Sequence, residues 1–136
     1  MPRAEFEEIE HTADWAIRVL ASDLESLFEC AAQGMFQLIG CANLEAEAII
    51  RPITLQAADL ETLLVGWLEE LLYLLETENL MMAESRIQIP SDKQLLATIS
   101  MLPAQERWKE IKAVTFHDLQ IKQSSNGFEV SIVFDV

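Results

Sequence analysis

The sequence predicts an α+β fold, a two-layer sandwich in which a mostly antiparallel sheet is covered by two amphipathic helices. The strand-like segments arrive in consecutive runs, before the first helical segment and after the second, and consecutive strands usually pair antiparallel. Each helical segment carries one broad apolar face that needs a sheet to cover it. No repeat or linker interrupts the 136 residues, so we expect one domain, residues 1–136.

The strongest helical pattern spans residues 59–79, DLETLLVGWLEELLYLLETEN. At about 100° per residue, its large apolar side chains fall within one arc. These are Leu60, Leu63, Leu64, Trp67, Leu68, Leu71, Leu72, Leu74 and Leu75. Asp59 is predicted as the N-cap, since its carboxylate can accept an unpaired N–H of the first turn. Glu69 lies opposite the arc, whereas Glu70 lies at its edge.

A second helical pattern follows Ser22, which opens the tetrapeptide SDLE. This tetrapeptide matches the capping box S-x-x-E, so Ser22 is predicted as the N-cap. Apolar residues recur at spacings of three and four up to Ile39, and Gly40 is placed to stop the helix. Gly34 in the helix interior costs about 1 kcal/mol relative to Ala. We therefore expect Gly34 to mark a close approach to another element.

The strand predictions rest on alternation of apolar and polar side chains. The predicted strands span residues 5–11, 14–21, 45–57, 81–89, 95–102, 112–122 and 128–136. The first two form either a hairpin or one continuous bent strand. Pro52 predicts an edge or a bulge, because proline donates no ladder hydrogen bond. Pro103 is expected to end its strand and residues 104–110 to form a loop. Asn126-Gly127 predicts a hairpin with a type I′ turn.

The net charge of the chain limits the kinds of partner that it is expected to bind. The net charge is −14, with 23 acidic against 9 basic residues, which disfavours direct binding to nucleic acid or to an anionic membrane. The acidic residues could bind a partner with a basic surface, bind a cation, or serve only to keep the protein soluble. Cys30 and Cys41 are expected to lie apart as reduced thiols. With no signal peptide and no membrane span predicted, we expect a cytoplasmic protein.

Standard catalytic and soft-metal motifs are absent from the sequence, but a hard-cation site is better supplied with oxygens. Asp14 follows His11 in the run HTAD and is predicted to point away from the core. Asp135 precedes the free α-carboxylate of Val136, and two carboxylates at one strand end repel each other unless a cation or base neutralises them. The alternatives are that Asp14 caps a turn and that Val136 is a solvated terminus.

A basic segment stands out in this acidic chain. Arg107, Lys109 and Lys112 place three of the nine basic residues within six positions, and His117 follows. The segment is either functional or a solvated loop, and His117 alone would more often be a structural histidine.

Four segments, in order, resemble the archease family. They are HTADWAIRVLASDLESLFECAAQGMFQLI, DLETLLVGWLEELLYLLETE, EIKAVTFHDLQIK and the terminal FEVSIVFDV. The resemblance covers nearly the whole chain, from about Phe6 to Val136. It implies a two-layer α+β sandwich and an accessory role, without enzymatic activity of its own, beside RNA ligases of the RtcB type in tRNA splicing and RNA repair. Such a factor promotes guanylylation and multiple turnover of the ligase and broadens its nucleotide use.

The resemblance also implies a set of functional residues. The implied metal ligands are Asp14, Asp135 and Val136, with Ca²⁺, or else Mg²⁺ or Mn²⁺, as the bound ion. The other implied functional candidates are Glu70 and Lys112. His11 and His117 are further candidates for a functional or partner-binding role. If the strands that carry Asp14 and Asp135 are neighbours, three carboxylate groups converge and require a cation.

The sequence departs from the family pattern in the loop 103–110, where Arg107 is followed by Trp108 and not by histidine.

Two other functions stay open. One is a metal-dependent hydrolase of a small phosphorylated substrate, assisted by Lys112 or His117. The other is a chaperone-like adaptor whose metal only fixes the fold.

Overall fold

The structure is a computed structural model that describes residues 4–10 and 15–136. Within these residues the chain alternates strands with two helices. The elements are β1 (Ala4–Glu10), β2 (Trp15–Ala21), α1 (Leu24–Ile39), β3 (Gly40–Ala42), β4 (Ile49–Gln56), α2 (Leu60–Glu78), β5 (Leu80–Ser91), β6 (Gln94–Arg107), β7 (Ala113–Val114), β8 (Lys122–Ser124) and β9 (Gly127–Asp135). No helix in this part of the chain is both long and apolar enough to cross a bilayer.

All the described strand pairs are antiparallel, and they form two sheets. The first sheet has the order β1-β2-β9-β7, with β8 also on β9, and in the second β6 pairs with β3, β4 and β5. Both helices contact strands of both sheets. The α+β class is therefore confirmed, while the single expected sheet is divided in two. Alternation along a strand identifies its buried face but not its hydrogen-bonding neighbours.

Helix α2 supplies much of the core, as its apolar arc predicts. Eight of the nine arc residues are buried, and Leu60 packs partly buried against the core. The indole N–H of Trp67 donates to the backbone oxygen of Phe28 at 2.9 Å, which ties α2 to α1. Asp59 is the N-cap and accepts the N–H of Thr62 at 2.8 Å, so this prediction is confirmed.

Helix α1 begins one residue later than the capping box predicts. Its N-cap is Asp23, whose carboxylate accepts the N–H of Ser26 at 2.8 Å. A charged carboxylate interacts more strongly than the Ser22 hydroxyl with the positive end of the helix dipole. Glu25 instead accepts the N–H of Ile89 on β5 at 3.3 Å.

The two predicted roles of glycine in α1 are confirmed. A Cβ on Gly34 would lie 3.0 Å from side-chain atoms of Ile17 and Phe6, so the helix approaches β1 and β2 closely there. Gly40 is the C-cap, and its N–H bonds to the oxygen of Phe36.

Several strand boundaries differ from the prediction. Strand β4 begins at Ile49 rather than at residue 45, and β3 was not predicted. Strand β6 continues through Pro103 to Arg107. The proline lies between Met101, the last residue of β6 that pairs with β4, and Ala104, the first that pairs with β3, where no ladder N–H is needed. Pro52 lies on β4, which pairs only with β6 among the described strands, so the predicted edge is confirmed.

The C-terminal segments also need correction. Of the predicted strand 112–122, only β7 and the first residue of β8 are strand, since the backbone between them turns at Asp118, with a φ of 52°. The predicted hairpin joins β8 to β9. Its turn is not type I′, because Asn126 lacks a positive φ, which occurs at Gly127 (124°) instead. A Cβ on Gly127 would clash with the carbonyl oxygen of Ala21.

Candidate functional site

The end of β9 lies between two other strand ends. Trp15, at the start of β2, pairs with Phe134, while Ala113 of β7 pairs with Asp135 on the other side. The N–H of Lys112 donates to the carbonyl oxygen of Asp135 at 2.8 Å. The condition stated from the sequence, that the strand after Asp14 and the strand of Asp135 are neighbours, is therefore met.

The side chain of Asp135 is an available oxygen donor. It is exposed and forms no hydrogen bond or ion pair with any residue that the structure describes. Val136 is half-buried beside the core. A free carboxylate at a fixed strand end suits a hard cation, which takes oxygen ligands.

The complete ligand set stays a prediction. The predicted ligand Asp14 lies outside the described residues, as does His11, a functional candidate that was not predicted as a ligand. Within residues 4–10 and 15–136, no group of three acidic, histidine or cysteine side chains is arranged to hold a metal. A site built from Asp135, Asp14 and a main-chain carboxylate would not form such a group in this range.

Two lysines flank this strand end. The Lys112 side chain is exposed and has no ion-pair partner among the described residues. The ammonium of Lys109 lies 3.4 Å from the centroid of the Trp15 ring, a cation–π contact that joins the loop after β6 to the start of β2.

Helix α2 reaches the strand ends through Glu69, which the helical pattern placed opposite the apolar arc. Its carboxylate accepts the N–H of Val114 at 3.0 Å, and Val114 pairs with Phe134. Glu61, two turns earlier, accepts the N–H of Ile121 at 2.9 Å. Glu70, the sequence candidate, is half-buried and forms no hydrogen bond or ion pair in the described part of the chain.

His117 lies in the turn after β7. Its side chain is 63% exposed, and its nearest charged partner is the adjacent Asp118 at 3.3 Å. The contacts of His117 therefore do not connect it to Asp135.

The last residue of β6 and the loop that follows are fixed to the ends of both helices. The Arg107 guanidinium donates to the oxygen of Leu75 at 2.7 Å and to Asn79 at 2.8 Å, so it caps α2. The backbone N–H groups of Trp108 and Lys109 both donate to the oxygen of Ile39, the last residue of α1. The concentration of basic residues drew attention to this segment in the sequence, but it did not reveal the capping role.

Comparison with known proteins gives a consistent result. The family described as "Archease protein family (MTH1598/TM1083)" matches residues 6–136. The protein archease of Methanosarcina acetivorans is 31% identical, over 96% of this chain and 95% of its own length. The protein archease of Saccharolobus islandicus is 35% identical, over 96% of this chain and 98% of its own length.

Two solved structures share the fold. Protein 1598 of Methanobacterium thermoautotrophicum has a TM-score of 0.74 and 30% identity, covering 96% of this chain and 98% of its own. The archease of Thermotoga maritima, described as a possible chaperone, has a TM-score of 0.66 at 19% identity, covering 96% of each chain, and shows the fold alone. Because the match extends over almost the whole sequence, this chain belongs to the archease family.

Proposed function

We propose that this chain is an accessory factor, without catalysis of its own, that activates an RNA ligase of the RtcB type in tRNA splicing and RNA repair. It promotes guanylylation and repeated turnover of the ligase and broadens its use of nucleoside triphosphates. Support comes from membership of the archease family and from the strand pairing that lays Trp15 beside Phe134. Family membership is the observation that carries the proposal, and the pairing supports the cation site, since it brings the start of β2 next to the carboxylate of Asp135.

The site takes a divalent cation, with Ca²⁺ first and Mg²⁺ or Mn²⁺ as alternatives. Its proposed ligands are Asp14, Asp135 and the α-carboxylate of Val136. When bound, the ion supplies positive charge that offsets the repulsion between neighbouring carboxylates. The fit rests on the hard oxygen of Asp135, which has no other described partner.

The protein's own residues hold this strand end in place. The N–H of Lys112 fixes the backbone of Asp135, and Glu69 fixes Val114 on the neighbouring strand. The exposed ammonium of Lys112 is left free to contact the partner. An RNA ligase has a basic channel for its substrate, and a protein with a net charge of −14 would approach it with a fast, salt-sensitive on-rate.

The direct test is the ligation rate of an RtcB-type ligase under multiple turnover, with and without this protein. We expect faster turnover with the wild-type chain, no joining by the chain alone, and loss of most of the effect in Asp135→Ala. The matched control is Asp92→Ala in the exposed β5–β6 turn, which should activate like the wild type. Unchanged ligase turnover on adding the wild type would refute the proposal.

A chaperone-like adaptor gives a different result in the same assay. In that case, chelating the cation would lower the melting temperature while leaving ligase activation intact.

Lys112→Ala tests whether this side chain contacts the ligase. Because the side chain has no described partner, the substitution should reduce activation with little change in stability.

A further inference from the structure

Trp108 presents an exposed ring on an anchored backbone. The residue is 59% exposed, whereas Trp67 is fully buried. The backbone N–H of Trp108 donates to the carbonyl oxygen of Ile39 at 2.8 Å, and the backbone N–H of Lys109 donates to the same oxygen at 3.2 Å. A large side chain held on a fixed backbone loses little conformational freedom on binding, as is typical of interface anchors.

The cavity beside Trp108 combines two helix C-termini with two acidic and two basic side chains. Its volume is about 310 Å³, and Ile39 of α1 and Leu75 of α2 line it near the helix C-termini. Helix C-termini carry partial negative charge, and neither helix has a basic residue in its last turn. Glu76 and Glu110 add two carboxylates to the lining.

The two basic residues of the lining are already engaged. Arg107 donates to Leu75 and Asn79, and the Lys109 ammonium lies on the ring of Trp15. Glu76 is 56% exposed and only 3.4 Å from Arg107, a long contact. Glu110 forms no ion pair with any residue in the described ranges. A cation entering the cavity would therefore meet an exposed indole face and carboxylate oxygens.

We propose that Trp108, Glu76 and Glu110 form a cradle for an arginine or lysine side chain of the partner protein. The guanidinium or ammonium stacks on the indole and pairs with the carboxylates. Lys109, the next residue in the loop, makes the same kind of stack on Trp15 of β2. The choice of a basic side chain follows from the exposed indole and the two carboxylates at the cavity, and from the net charge of −14 of the whole chain. The assignment of this partner rests on the proposed function, because an RNA-binding ligase exposes such side chains around its channel.

The first experiment is independent of the ligase. A short arginine-rich peptide is titrated into the protein while the indole N–H signals are followed by NMR, and affinities are measured at fixed ionic strength. We expect the Trp108 signal to shift, Trp108→Leu to weaken binding about tenfold, and Trp108→Phe to weaken it less, because phenylalanine keeps an aromatic face. Glu110→Gln should weaken it about threefold.

The matched control is Ile50→Ala, which removes an exposed apolar side chain on the second sheet (61% exposed) and should bind like the wild type. An unmoved Trp108 signal would overturn the cradle. So would equal affinities for Trp108→Leu and Trp108→Phe, since a purely apolar contact does not need a π face.

The second experiment measures the affinity of the same variants for the ligase. The cradle predicts the same order of affinities as with the peptide. If wild type binds the ligase and Trp108→Leu binds equally well, the cradle is wrong and the proposed function stands. If the peptide results hold but wild type neither binds nor activates the ligase, the proposed function fails and the cradle remains as a receptor for basic side chains.

Discussion

Single residues in this fold are distinguished by what surrounds them more than by their type. Gly34 and Gly66 both lie inside helices, where glycine costs about 1 kcal/mol relative to alanine. A Cβ on Gly34 would press against Ile17 and Phe6, while a Cβ on Gly66 would meet nothing within 4 Å. Gly34 is therefore required by close packing in α1, whereas Gly66 leaves an open notch on the surface of α2.

The two glycines predict opposite effects of one substitution. Gly66→Ala should raise the free energy of unfolding by about 1 kcal/mol, because it adds helix propensity without a clash. Gly34→Ala should lower it by about 1–3 kcal/mol, because the new methyl overpacks the contact with β1 and β2. Urea denaturation measures both, and a destabilised Gly66→Ala would contradict the open notch.

Two carboxylates on α2 and at its N-cap couple its stability to pH. The N–H of Thr62 lowers the pKa of Asp59, and the hydrogen bond from Arg51 lowers the pKa of Glu78. A carboxyl group with a lowered folded-state pKa contributes stability above its ordinary pKa, near 4, and this is lost as the pH falls through the folded value.

Asp59→Asn should therefore flatten the loss of stability below about pH 4, since asparagine can cap the helix but does not titrate there. Thermal unfolding followed between neutral and acidic pH measures this slope. Asp92→Asn, in an exposed turn, is the control and should leave the slope unchanged. A slope for Asp59→Asn as steep as that of the wild type would show that the cap is not a source of the acid sensitivity.

Among the elements, helices were predictable from sequence and the arrangement of strands was not. The period of the Leu and Trp arc identified α2, and Asp59 and Gly40 fixed helix ends, because those signals are local. The continuation of β6 through Pro103 depends on whether a neighbouring strand needs a hydrogen bond at that position, and this is decided by tertiary pairing. The same reason explains why the role of Glu69 was missed: an acceptor role depends on a backbone N–H that lies 45 residues away in the chain.

The contact between α2 and β7 can be tested at Glu69. Glu69→Ala should speed amide hydrogen exchange at Val114 and destabilise the protein by about 1 kcal/mol or more, because a buried N–H loses its acceptor. Glu69→Gln is the matched variant, since its side-chain oxygen can still accept, and should retain most of the protection. Exchange at Val114 that is equal in all three proteins would show that the carboxylate does not hold β7.

At the scale of the whole molecule, the fold accounts for part of the composition of the sequence. The core explains the apolar residues, and part of the acidic excess is used internally, as Glu25, Glu61 and Glu69 accept backbone N–H groups. The pairing of β2 with β9, which the sequence analysis could state only as a condition, brings the start of β2 next to the end of β9. What the sequence could not provide is the register of that pair, which sets Trp15 opposite Phe134 and thus close to Asp135.

The central claim, a divalent cation at the end of β9, is tested most directly by terbium luminescence. Tb³⁺ substitutes for Ca²⁺ and is sensitised by a nearby tryptophan, and Trp15 lies at the adjacent strand start. We expect sensitised emission from the wild type, displacement by Ca²⁺, loss of the emission in Asp135→Asn, and normal emission in the control Asp118→Asn. Equal emission from wild type and Asp135→Asn, or emission that Ca²⁺ does not displace, would contradict the claim.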